Sequence, residues 1–468
     1  MEFIDTLIKQ IDDIVWGVPL IVLILACGIT LSFKIRFVQF RKLGKGFRYM
    51  MHDDDSGSGD VSSFAALCTA LSATVGTGNI VGVATAVTTG GAGALFWMEI
   101  AALFGMATKY AEGLLAIKYR TVDRNGNILG GPFYYIENGM GKKWRWLAKA
   151  FALFGVFAGL LGIGTFTQIN GITSAVKGFF DPDSLNTVNI LGNDYSVCVI
   201  IAGIVMTVLA ALVLIGGLKS ISKFAQVVVP TMIILYVVSC LIVLITHISA
   251  IPGAIVEIFE SAFGLRPIAG GIAGISVVIL SSQKGIARGI FSNEAGLGSA
   301  PIAASAAKTN EPVRQGLVSM IGTFIDTIIV CTMTGLVIVI SGSHTKGLEG
   351  VAVTADAFAN GLPLPGQIPS FVLMVCLAVF AFTTILGWNY YSERCLAYLL
   401  GGHKLHAVIY RWIYIAAIFI GPYLTVEAVW NIADIFNGLM ALPNIAALVM
   451  LSDVVRDETK EYFARTGD

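Results

Sequence analysis

The chain has 468 residues, of which 56% are hydrophobic and only 13% are Asp, Glu, Lys or Arg, about half the charged share of an ordinary soluble domain. Thirty basic residues balance thirty acidic ones, so the formal net charge is zero. These figures exclude a disordered chain, a strongly basic nucleic-acid binder and an enzyme with a normal water-exposed surface.

A helix needs about 20 apolar residues to cross the hydrocarbon core. Eleven stretches qualify, near 15–33, 62–90, 93–117, 147–176, 196–216, 224–247, 267–298, 317–341, 369–399, 408–424 and 427–451. The first reads as a membrane helix and not a cleavable leader, because Glu2, Asp5, Asp12 and Asp13 precede it in place of a basic region. Residues 34–51 are basic and amphipathic, which places them on the inner membrane surface. The polar run 53–60 reads as a hinge. The second span contains Ser72-Ala73-Thr74-Val75-Gly76-Thr77-Gly78-Asn79, and the third contains Lys109 and Glu112, three apart on one face and expected to pair.

Gln168 and Asn170 interrupt the fourth span after Gly162, Gly164 and Thr165. An amide at that depth either glues helices together or reaches a substrate. Phe166 and Trp388 are either pocket walls or ordinary core aromatics. The seventh span holds Gly270, Gly271 and Gly274, then the stretch from Gln283 through Gly285 and Arg288 to Gly289, then Gly296 and Gly298. Asp326 lies in the eighth span, Asp434 and Asn437 in the eleventh, and structural hydrogen bonds are the favoured reading for all three. The outer loop 342–368 is a candidate cap. In the ninth span, Thr383 and Thr384 either bond to their own helix or offer hard oxygen donors to an ion.

With the N-terminus outside, Lys and Arg divide 23 to 4 between inner and outer segments. That is a strong positive-inside signal and puts the C-terminus in the cytoplasm. Setting the first span aside leaves five plus five, each half opening with a glycine-interrupted span. Paired interruptions of this kind point to an inverted repeat with a binding site near the membrane midplane. Unwinding frees N–H groups at one half-helix start, which attract a carboxylate, and carbonyls at the other end, which attract Na⁺ or an ammonium. Gly76 and Gly78 let backbone approach such a ligand closely. The seven Cys show no CxxC spacing, and no sequence for covalent or nucleotide-driven chemistry occurs. Uphill movement would draw on an ion gradient. Nothing calls for nucleic acid, an organic cofactor or an obligatory protein partner.

The stretches Ala73–Ala86, Arg288–Ala303, Gly105–Glu112 and Val429–Asp434 with Asn437-Gly438 resemble the alanine or glycine:cation symporter family, the sodium/alanine symporters. The resemblance implies an all-α polytopic membrane protein with a leucine-transporter-like fold, five-plus-five inverted repeats preceded by one helix. It implies Na⁺-coupled uptake of alanine or glycine across the cell membrane. The corresponding division is 1–61 for the extra helix, basic segment and linker, 62–247 and 248–451 for the repeats, and 452–468 for a cytoplasmic tail. By resemblance, Thr74, Gly76, Thr77 and Gly78 hold the substrate with Gln168, and the Gln283–Gly289 stretch, with Gln283 and Gly285, forms the opposite wall; Phe166 joins the substrate-site candidates as a pocket wall. Na⁺ would take carbonyls of Ser72, Val75 and Phe380 and hydroxyls of Thr383 and Thr384, with a second ion site at Thr74 and Asn79. Two rivals remain at this point: a proton-coupled transporter of the same fold, and a membrane receptor or scaffold that binds without moving its ligand.

Overall fold

The computed structural model describes residues 2–52, 57–122, 128–190, 192–265 and 271–467. It is 81% helical. The strands among the described residues are two short antiparallel pairs, Thr121–Val122 with Ile128–Leu129 and Thr187–Ile190 with Asn193–Ser196. A chain of apolar runs must behave this way in lipid, where every backbone polar group needs a partner and a helix supplies it internally.

Nine described helices are long and apolar enough to cross a membrane, or ten when the bent pair Ser63–Thr74 and Gly78–Gly90 counts as one span. They cover ten of the eleven expected stretches. The other is the helix Gly271–Asn293, whose Gln283, Lys284 and Arg288 reduce its apolar character. Residues 266–270, where that stretch was expected to begin, lie outside the described residues.

Helix Gly93–Lys118 is the hub, with 78% of its membrane window buried. It packs against Pro312–Thr323, Gly271–Asn293 and Val18–Lys34. Helix Val197–Leu214 is only 22% buried over its window, as befits a lipid-facing rim.

Two expectations about the N-terminal part change. The basic segment does not simply lie on a membrane surface: Lys34 pairs with Asp453 at 2.8 Å, and Lys42 and Lys45 sit over the Phe463 ring at 5.2 and 5.6 Å. Both partners belong to the C-terminal helix Ser452–Thr466. Within the expected hinge, residues 53–56 lie outside the described residues, and the rest is tied down. The N–H groups of Asp60 and Val61 donate to Ala306 O at 2.9 and 3.2 Å, and Lys308 N–H donates to Val61 O at 2.8 Å. The Arg120 guanidinium donates to the carbonyls of Ser58, Ser305 and Ala307 at 2.8–2.9 Å. Backbone engaged at that many points does not swing. In the outer loop, helix Val351–Gly361 touches the second span, Thr354 Oγ1 donating to Ile80 O at 3.3 Å.

Candidate substrate and ion site

Helix Ser63–Thr74 starts on a Ser62 cap, whose Oγ accepts from Ala65 N–H at 3.0 Å, and stops at Val75, which is extended (φ −77°, ψ 95°). The chain resumes as a π-helical turn, Gly78–Gly82, and continues as Val83–Gly90, the halves bent by 51°. One local side chain and two from other spans engage the groups this break frees. Gly76 N–H donates to Asn79 Oδ1 at 2.8 Å, Thr77 N–H donates to Gln168 Oε1 at 3.1 Å, and Val75 O accepts from Thr384 Oγ1 at 3.3 Å. A Cβ on Gly76 would overlap Thr384 Oγ1 and lie 2.9 Å from Gln168 Oε1, so only glycine fits there.

Gln168 is held by a break of its own. Helix Arg145–Leu161 ends, and helix Phe166–Phe180 begins after an irregular Gly162–Thr165 turn. The Gln168 amide donates from Nε2 to Ile163 O at 2.9 Å while its oxygen serves Thr77. One buried amide therefore joins two irregular turns. Asn170 instead donates to Leu424 O at 3.3 Å, and Phe166 packs in a satellite cluster with Ala417 and Val429.

The second break falls at Gly296 and Gly298, two of the glycines the sequence singles out, and not at Gln283–Gly289. Gly271–Asn293 runs as helix straight through Gln283–Gly289, and the irregular turn falls at 294–299 before the short helix Ala300–Ala304. Glu294, Gly296 and Gly298 there have φ of 56°, 91° and 79°. Gly285 is a packing glycine: a Cβ on it would run into the Ala94 carbonyl. Glu112 does not pair with Lys109. Its Oε1 accepts from the N–H groups of Gly296 and Gly298, both at 3.2 Å, and from Asn444 Nδ2 at 2.7 Å. The freed N–H end has attracted a carboxylate, as helix-terminus physics demands, and the chain supplies it. Trp388 anchors the same turn, donating from Nε1 to Glu294 Oε1 at 2.7 Å, with Ser299 bonded to the other oxygen.

Across from the first break, residues Phe324–Cys331 form a second π-helical stretch inside the run from Pro312 to Ser341. Asp326 in it accepts from Asn79 Nδ2 at 2.8 Å, Ser292 Oγ at 2.9 Å and Thr327 Oγ1 at 2.8 Å. It is a satisfied, fully buried carboxylate. Such π segments often accompany functional positions. Asp434 also has a partner, a two-pronged pairing with Arg288 at 2.7 and 3.2 Å, and that guanidinium lies over the Trp430 ring at 4.9 Å.

The expected ion ligands come together in part. Thr384 Oγ1 lies 3.1 Å from Phe380 O and 3.3 Å from Val75 O, and Thr383 Oγ1 lies 2.8 Å from Phe380 O. These are uncharged, hard oxygen donors from two spans, a set that suits a monovalent hard cation. Ser72 lies against the same helix, its Oγ 2.8 Å from where a Cβ on Gly387 would sit. Thr74 and Asn79 diverge. Thr74 lines a water-sized cavity of about 20 Å³ with Asn293, Gln315 and Lys109, whereas Asn79 faces Asp326. At that cavity the ends of the two broken spans meet, beside a buried Lys109 Nζ that has no hydrogen-bond partner. Among the described residues no three His, Cys, Asp or Glu converge as a metal cluster.

Spacing along the chain gives no role to Ser292 or Asn293 and pairs Glu112 with Lys109. The signal available was the Ser292-Asn293-Glu294-Ala295-Gly296-Leu297-Gly298 run itself, where two glycines follow three polar residues at the end of an apolar helix.

A helical bundle with a bent, interrupted span held by amides and hydroxyls is an arrangement that secondary transporters use. The structure is similar to the crystal structure of MhsT in complex with L-phenylalanine, with a TM-score of 0.54 over 86% of this chain and 98% of that one. At 15% identity this likeness concerns the fold. The class is a multi-pass membrane transporter of leucine-transporter-like fold, not an enzyme. The description "Sodium:alanine symporter family" matches residues 1–468, and the chain belongs to that family of amino-acid symporters. It is 51% identical over 465 residues to an uncharacterized transporter of Haemophilus influenzae, covering 99% of this chain and 97% of that one. It is 44% identical over 473 residues to the sodium/alanine symporter AgcS of Methanococcus maripaludis, covering 99% and 98%.

Proposed function

We propose that this symporter takes up small neutral amino acids, alanine and/or glycine, together with Na⁺ by alternating access. The observation that carries the reading is the break at Val75–Thr77, whose freed backbone is engaged by Asn79, Gln168 and Thr384. In the loaded state the substrate carboxylate replaces those amide oxygens at the Gly76 and Thr77 N–H groups, with Thr74 and Gly78 beside it. The opposite wall is Ser292 and Asn293, in place of Gln283 and Gly285. Na⁺ takes the Val75 and Phe380 carbonyls, the Thr383 and Thr384 hydroxyls and the Ser72 carbonyl. Alanine and glycine differ by one methyl, worth about 1–3 kcal/mol in a fitted pocket.

The architecture that goes with this reading is eleven spans, one followed by two inverted repeats of five over 62–247 and 248–451. The N-terminus lies outside and the tail 452–468 in the cytoplasm of a cell that carries the protein in its plasma membrane. The Lys/Arg asymmetry supports that orientation.

A proton-coupled cycle is the second reading, favoured by Asp326, a buried carboxylate bonded to the broken span through Asn79. The deciding experiment is uptake of labelled alanine and glycine into proteoliposomes under an imposed Na⁺ gradient, and separately under a pH gradient. Saturable uptake driven by Na⁺ supports the first reading. Accumulation driven by pH with no Na⁺ on either side replaces it with the second. Binding with no net transport under either gradient removes both.

A further inference from the structure

A cavity of about 810 Å³ opens between the segment Phe133–Glu137, the last turns of Ile368–Leu400 and the start of Lys404–Ile420. Four cations line it, Arg145, Arg394, Lys404 and Arg411, against two carboxylates, Glu137 and Glu393. Glu393 is spent on Arg411 in a two-pronged pairing at 2.6 and 2.8 Å, and Glu137 faces Arg145 at 3.5 Å. Arg394 and Lys404 form no ion pair among the described residues. Arg394 rests over the Tyr390 ring at 5.2 Å, and Lys404 is exposed. The turn Gly401-Gly402, with φ of 80° and 72°, brings the N-terminus of the 17-residue helix Lys404–Ile420 into the same wall, with no side chain capping it. The other wall is apolar, Phe133 stacked on Tyr398 with ring centroids 4.8 Å apart and Leu396 and Val408 beside them.

An excess of cations over carboxylates, a helix start with free N–H groups and an apolar flank in one cavity select an anion with tetrahedral oxygens. From these we infer that the cavity binds a phosphate group, carried either by an anionic phospholipid head or by a soluble phosphate compound. Basic pockets between membrane helices take lipid heads in this way. The helix that carries Thr383 and Thr384 ends in this cavity, so an occupant ties its end to the following helix. The inference is independent of which amino acid is carried.

The test uses the full chain, purified in detergent and stripped of lipid, with thermal unfolding measured in three additions: phosphatidylglycerol, phosphatidylcholine, and inorganic phosphate without lipid. Ligand that binds only the folded state raises Tm. A rise of a few degrees in phosphatidylglycerol over phosphatidylcholine supports a lipid head. The same rise with inorganic phosphate alone supports the soluble source. In R394Q/K404Q the rise should be lost when read against that variant's own Tm in phosphatidylcholine. If the double variant does not fold, K404Q, altered at an exposed position, should lose part of the rise, and native mass spectrometry should count fewer retained phosphatidylglycerol molecules. No rise with any addition, or an undiminished rise in the variant that folds, overturns the inference.

Discussion

Asn79 donates from one amide nitrogen to both the carboxylate and the backbone carbonyl of Asp326, at 2.8 and 3.0 Å, while its amide oxygen accepts from Gly76 N–H. Two π-helical segments, Gly78–Gly82 and Phe324–Cys331, are thereby joined through one side chain. Asn79→Ala leaves the Gly76 N–H unpaired and removes one donor from Asp326, both fully buried. Each orphaned group costs about 1–3 kcal/mol. The expected result is a Tm lower by several degrees and uptake near background. Asp326→Asn keeps the carbonyl oxygen that Asn79 needs and should be milder, with Na⁺-driven uptake retained. If Asp326→Asn instead abolishes Na⁺-driven uptake while leaving Tm unchanged, the carboxylate has a role beyond these hydrogen bonds.

The first break was legible because Gly76-Thr77-Gly78-Asn79 interrupts an otherwise apolar run, and its irregular backbone lies where those letters stand. The second was legible in part: Gly296 and Gly298 mark it, but Gln283, Lys284 and Arg288 look equally disruptive in one dimension. In three dimensions they ride on an unbroken helix, where Arg288 is neutralised by Asp434, 146 positions away. Glu112 was misread for a related reason. A local rule pairs it with Lys109, but backbone N–H groups freed 184 positions away bind it first. Sequence spacing reports what lies within one helix. It is silent on which distant break a polar side chain will serve, and most of this site is made of such long-range pairings.

Thr384 and Thr383 separate the ion-binding role from helix self-bonding. Thr384 Oγ1 bridges two spans, reaching Val75 O at 3.3 Å, whereas Thr383 Oγ1 reaches its own Phe380 O and the Met232 sulfur. Thr384→Ala should raise the Na⁺ concentration for half-maximal uptake at least about tenfold, equivalent to about 1.4 kcal/mol, and Thr384→Ser should stay near wild type. Thr383→Ala should have the smaller effect. Uptake against Na⁺ concentration checks this, and an unchanged Na⁺ requirement in Thr384→Ala removes that hydroxyl from the ion site.

Gly76 and Gly285 both exclude a side chain, with different consequences. A Cβ at Gly76 meets Thr384 and Gln168, the two groups that engage the break, so Gly76→Ala should lower substrate and Na⁺ affinity together in protein that still folds. A Cβ at Gly285 meets the backbone of Ala94, so Gly285→Ala should lower Tm and yield with the affinity of the surviving protein unaltered. Binding and thermal unfolding measured side by side distinguish the two. The opposite pattern, affinity lost in Gly285→Ala, returns the substrate wall to the Gln283–Gly289 stretch.

Lys109 is a buried cation in the core that also holds the buried carboxylates Glu112, Glu294 and Asp326, and its Nζ hydrogen-bonds to none of them. It lines a cavity of about 20 Å³, room for one water, as does Gln315, whose Oε1 is also without a hydrogen-bond partner. Lys109→Met keeps the volume and removes the charge, leaving the carboxylates uncompensated. A buried cation among buried carboxylates offsets their charge even without a direct bond, so Tm should fall. Glu112→Gln retains an oxygen for the Gly296 and Gly298 N–H groups, and by itself should cost little. If charge balance is the reason for Lys109, the Lys109→Met/Glu112→Gln double variant will be more stable than Lys109→Met alone. Simple addition of the two losses in this double-mutant cycle would show that Lys109 acts by packing its stem.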